Sequence, residues 1–151
     1  LESLGYAEVR TVIVSGNAVF SAKRKAAAAL ETQIERAIES KLGLDVKVLV
    51  RSAAELDAVV RQNPFLKRKV DPKQLHASFL WKNPSKETLE AVNPKDFLPD
   101  EFEVRDRVIY IRAPNGVAGS KMPNWDKFLG MPTTQRNWNT VTRLHDLTRG
   151  G

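Results

Sequence analysis

The stretch Phe102-Glu103-Val104-Arg105-Asp106-Arg107-Val108-Ile109-Tyr110-Ile111 decides the fold. Phe102 to Val104 and Val108 to Ile111 are β-rich runs, and Arg105-Asp106-Arg107 between them reads as the turn of a hairpin. Before the hairpin, Leu75, Ala77, Phe79 and Trp81 alternate as a strand, and Ser85 caps a short helix that carries Leu89 and Val92. After it, Gly119-Ser120 opens a helix with Met122, Trp125 and Leu129, which Gly130 ends. Thr133 to Trp138 supply a final strand. Asn139 or Thr140 then caps a terminal helix through Leu144 and Leu147. The order is β-α-β-β-α-β, the ferredoxin-like split arrangement.

The first half follows the same plan less completely. Leu1, Leu4 and Gly5 read as the last turn of a helix whose beginning is missing, and no methionine opens the chain, so it reads as a fragment or a processed product. Val9 to Val14 and Ala18 to Ser21 flank Ser15-Gly16-Asn17, a tight hairpin signal. A helix over 26–42 follows, with Leu30, Ile34, Ile38 and Leu42 on one face and Gly43 as its C-cap. Val46, Val48 and Val50 alternate as a strand. Ser52 and Glu55 form a capping box that opens a helix through Leu56, Val59 and Val60.

That half is α-β-β-α-β, the same series without its opening strand. The expected class is therefore α+β, with two ferredoxin-like halves: residues 1–66, a charged connector over 67–74, and residues 75–151. A sheet lacking a strand exposes an edge, which invites self-association.

Composition removes several function classes. With no cysteine there are no disulfides, no thiol nucleophile and no thiolate zinc site. No apolar run approaches a membrane span, and no signal peptide opens the chain, so a soluble cytoplasmic protein without membrane contact is expected. The net charge of +6 is compatible with an anionic small molecule or a nucleic acid as partner. The plainer reading of that excess is a solvated surface with surplus lysine.

At Ile13-Val14-Ser15-Gly16-Asn17-Ala18-Val19-Phe20, Asn63-Pro64-Phe65 and Arg136-Asn137-Trp138-Asn139-Thr140-Val141 the chain resembles a bacterial family, the domain-of-unknown-function 1697 family. Ser120-Lys121 and Gly130 fit the same pattern. The resemblance implies a small two-part α+β protein whose biochemical function is not established. Members of the family usually begin with a strand containing Leu-Arg-Gly-Ile-Asn and a glycine-rich turn, a segment this sequence lacks.

The candidate site is the donor-rich junction near the C-terminus. Arg136 offers a planar bidentate fork and Lys121 a compact charge, and both are expected to converge on one anion. Asn137, Asn139 and Thr140 add neutral donors where a helix start already favours negative charge. The plain structural alternative makes Asn139 a cap, Trp138 a core residue and Arg136 a surface ion-pair partner. Ser15 and Asn17 could present a hairpin turn to a phosphate, although a turn needs such residues anyway.

His76 and His145 lack a third ligand at metal spacing, so no metal is expected. Neighbours His145 and Asp146 face different sides of a helix and cannot form a dyad. Asp100, Glu101 and Glu103 read as a solvated strand border, and Ser120 as a cap rather than a nucleophile. No phosphate-loop or dinucleotide signature is present, so no cofactor is implied. The leading expectation is a binding protein for a phosphorylated or anionic ligand. An enzyme acting on a small anionic substrate and a protein–protein interaction module are the alternatives.

Overall fold

The computed structural model describes residues 7–12, 17–21, 27–43, 48–117 and 119–149. The chain is α+β, and its contacts divide it into two compact units, Leu1–Asp57 with Thr142–Gly151, and Ala58–Val141.

In the second unit, β3 (Leu75–Leu80), β4 (Glu101–Arg105), β5 (Val108–Arg112) and β6 (Thr133–Asn137) form an antiparallel sheet in the order β4-β5-β3-β6. With α3 (Lys86–Glu90) and α4 (Trp125–Leu129), the chain order is β-α-β-β-α-β. The β4–β5 hairpin closes on two residues: Asp106 and Arg107 both have positive φ (37° and 60°), and Arg105 pairs directly with Val108. That is a type I′ turn, whose twist suits flanking strands, and it is one residue tighter than the sequence suggests.

Residues paired across strands share a face, so the registers sort the side chains. Leu80, Ile109 and Ile111, flanked by Phe102 and Val104, meet Trp125, Phe128 and Leu129 from α4. Phe102 and Trp125 pack edge-to-face with ring centroids 5.1 Å apart. The opposite face carries Leu75, Ala77, Phe79, Val108 and Tyr110, all buried. Both faces of β5 are therefore covered, which is why Val108-Ile109-Tyr110-Ile111 is an unbroken apolar run.

Helix α4 begins at Trp125 and not at Ser120 as expected. Met122 precedes Pro123, and a residue before proline is steered away from helical ψ. The cap is Asn124, whose side chain accepts from the Lys127 N–H, and Gly130 ends the helix at φ +69°.

In the first unit, β1 (Ala7–Val12) and β2 (Asn17–Ser21) pair antiparallel, with Val12 opposite Asn17. The turn residues Ser15 and Gly16 lie outside the described residues. Helix α1 (Ala27–Leu42) buries Leu30 and Ile34 against Ile38, Val48 and Val50, and Gly43 caps it with its N–H on the Glu39 carbonyl at 2.9 Å. Leu42, expected on the buried face, is exposed.

The expected strand around Val48 is not formed over Val48 to Val50. Their amides bond to side chains instead of a ladder: Val48 N–H donates to Glu35 at 2.8 Å and Val50 N–H to Glu31 at 2.7 Å. Helix α2 (Ala53–Arg61) opens on the expected capping box, Ser52 N–H to Glu55 at 3.0 Å and Glu55 N–H to Ser52 Oγ at 3.1 Å. Helix α5 (Trp138–Arg149) ends the described chain.

Candidate functional site

Strand β6 passes into α5 with no intervening loop, Asn137 ending one and Trp138 beginning the other. The cap is Asn137 and not Asn139 or Thr140, because its Oδ1 accepts the Thr140 N–H at 2.8 Å, three residues on. Trp138 and Thr140 are buried, at 3% and 7% exposure. Thr140 therefore turns inward, while Asn137 and Asn139 remain exposed. Arg136, half-buried, donates from Nη1 to the carbonyl of Gln135 at 2.9 Å.

The register places Arg136 opposite Ala77, which pairs with Tyr110, which pairs with Glu103. Lys121 is anchored at the other side of the sheet. Its N–H donates to Asp100 Oδ2 at 2.8 Å, and Asp100 directly precedes β4. Arg136 thus stands on one edge strand and Lys121 beside the other, three strand spacings apart, roughly 14 Å. The backbone does not bring the two cations together. Asn17 is half-buried on β2 in the other unit.

The acidic border is only in part the solvated face the alternation suggests, with Glu103 keeping 43% of its side chain exposed. Asp100 is 1% exposed, and its Oδ2 accepts from Ser120 Oγ at 3.0 Å as well as from Lys121. Ser120 thereby ties a loop to the sheet instead of capping a helix. Glu101 accepts from Arg68 at 2.8 Å through one oxygen and from Arg112 at 2.7 Å through the other. The Arg68 hydrogen bond, reinforced by Arg112, holds the Glu101 carboxyl below its usual range against the opposing effect of burial. Arg68 and Glu101 are 33 residues apart, so only the knowledge that the 3-10 turn Leu66–Arg68 returns to β4 could have linked them.

The two histidines have separate settings. His145 is buried and its Nε2 lies 2.8 Å from Asp57 Oδ1, a partner 88 residues away in place of the excluded Asp146. His76 is half-buried on β3, and burial lowers its pKa, favouring the neutral ring. Among the described residues, no group of three acidic or histidine side chains could hold a metal ion. No described helix is long and apolar enough to cross a membrane.

A family model described as "Protein of unknown function (DUF1697)" matches residues 1–110. The β6–α5 junction lies beyond the matched segment. No curated protein and no solved structure matches the chain.

Proposed function

The chain belongs to the DUF1697 family, and from that premise we propose that it is a binding protein for a phosphorylated or otherwise anionic ligand, seated where β6 enters α5. The observation that carries this reading is the loop-free junction, which sets Arg136, Asn137 and Asn139 within four positions of a 12-residue helix's start. There the dipole and the first N–H groups favour negative charge. The net charge of +6 supports the same sign of partner.

Lys121 joins this reading only through an extended ligand. A side chain anchored roughly 14 Å away does not grip the same small anion, whereas a nucleic-acid strand carries phosphates along its length and can meet both residues. Ser15 and Asn17 are not needed for this reading. The order β4-β5-β3-β6 supports describing the half over residues 75–151 as ferredoxin-like.

The test is titration of inorganic phosphate and a short single-stranded oligonucleotide into the native chain and Arg136 variants. Arg136→Ala is expected to weaken phosphate binding by about 1.5–3 kcal/mol, the range for hydrogen bonds to charged groups. Arg136→Lys should recover part of it, because a point charge does not reproduce the fork. Unchanged binding in both variants, with circular dichroism showing them folded, would remove the site from this junction.

A further inference from the structure

Strand β4 is an edge of its sheet. Because the hairpin closes on Arg105 and Val108, Arg105, Glu103 and Glu101 exchange their backbone hydrogen bonds with β5. The N–H and C=O groups of Phe102 and Val104 therefore point outward, along the open edge. A cleft of about 370 Å³ runs beside that edge, and Glu101, Phe102 and Glu103 all line it. Its size falls in the range of small-molecule sites.

The walls of the cleft divide by chemistry. Phe65, Phe102, Pro94 and Leu98 form its apolar lining; Phe65 is 5% exposed and Leu98, over its whole surface, 55%. Its three carboxylates are already engaged: Asp100 by Ser120 and Lys121, Glu101 by Arg68 and Arg112, and Glu103 by Arg105 at 2.9 Å. The cations are not used up. Arg68 gives Glu101 one N–H of its five, lies 5.8 Å over the Phe65 ring and leaves half of its side chain exposed. No described carboxylate pairs with the ammonium of Lys95, which is exposed.

We propose that this cleft binds a small apolar carboxylate, with the hydrocarbon body against Phe65, Phe102 and Leu98 and the carboxylate taken by Arg68, Lys95 and the outward Phe102 N–H. An apolar body accounts for the aromatic and aliphatic walls. An anionic head accounts for the unspent donors of Arg68 and Lys95, while each lining carboxylate already accepts from at least one cation or amide. The site lies on the edge strand opposite Arg136 and is independent of it.

The experiment compares two probes of similar size and opposite charge, phenylbutyrate and phenylbutylamine, by amide NMR on the whole chain. Phenylbutyrate is expected to give saturable shifts at Lys95, Phe102 and Glu103, with phenylbutylamine much weaker. Lys95→Glu, at an exposed position where folding is not at risk, should weaken phenylbutyrate about tenfold, the effect of one charge-assisted hydrogen bond. Leu98→Asp should weaken it as well. Arg136→Ala should leave it unchanged, so the result is read separately from phosphate binding at the β6–α5 junction. Equal or tighter binding of the amine, an unchanged affinity in Lys95→Glu, or no saturable shift with phenylbutyrate would each overturn the proposal.

Discussion

Tyr110 is 1% exposed, and its hydroxyl donates to the carbonyl of Val59 at 2.9 Å. The phenol thus fills the core with its ring and satisfies a buried carbonyl with its tip. Tyr110→Phe keeps the ring and strands that carbonyl, so it should cost about 1–3 kcal/mol in chemical denaturation. Burial pushes the phenol's pKa up from 10.0 to about 12. The sign follows directly. Below pH 10 both folded and unfolded chains keep the proton and the contribution is intact. Between pH 10 and about 12 the unfolded chain releases it first, so stability falls with rising pH. Tyr110→Phe should show a shallower alkaline loss over that window, and an identical slope in the two proteins would refute the assignment. The location of Tyr110 in a strand is legible from its apolar neighbours. Its partner is not, because Val59 lies 51 residues earlier.

Among the elements, what the sequence reveals depends on whether the stabilising contacts are local. The capping box at Ser52 and Glu55 is a contact across three residues, and it forms as read. The β4–β5 hairpin is likewise local. Val46, Val48 and Val50 present the alternation of a half-buried strand, and Val48 and Val50 do pack on Leu30 and Ile34. A strand also requires a neighbour for its amides, and alternation carries no information about that. Over Val48 to Val50 the acceptors are Glu35 and Glu31, one helical turn apart on α1, matching the two-residue repeat of an extended chain. Replacing both glutamates by alanine should leave α1 helical, since alanine is the better helix former. It should release the two amides, with hydrogen exchange at Val48 and Val50 accelerating by at least about tenfold, for a loss of roughly 1–3 kcal/mol per stranded donor. Protection that survives the double substitution would mean that another acceptor holds this segment.

For the whole molecule, charge says more about partners than about architecture. The excess of 24 basic over 18 acidic residues is compatible with an anionic partner and does not place one. The candidate residues Arg136 and Lys121 are only 15 positions apart in sequence, yet the order β4-β5-β3-β6 sends them to opposite edges. Strand order arises from non-local pairing, and so the closeness of Arg136, Asn137 and Asn139 along the chain was legible while the separation of Arg136 from Lys121 was not. That separation yields a sharp expectation. For a single-stranded oligonucleotide, each phosphate neutralised contributes about −0.7 to the slope of log K against log salt. Arg136→Ala should therefore flatten the slope by roughly 0.7, and Lys121→Ala by a similar amount if one strand spans the sheet. Inorganic phosphate is too small to span it, so Lys121→Ala should leave phosphate affinity unchanged while Arg136→Ala weakens it. If Lys121→Ala lowers phosphate affinity as much as Arg136→Ala does, the two side chains share one small anion and the extended-ligand reading fails. If it changes neither slope nor affinity, Lys121 serves only to anchor its loop through Asp100, and the proposal for the β6–α5 junction narrows to a compact anion tested by Arg136→Ala.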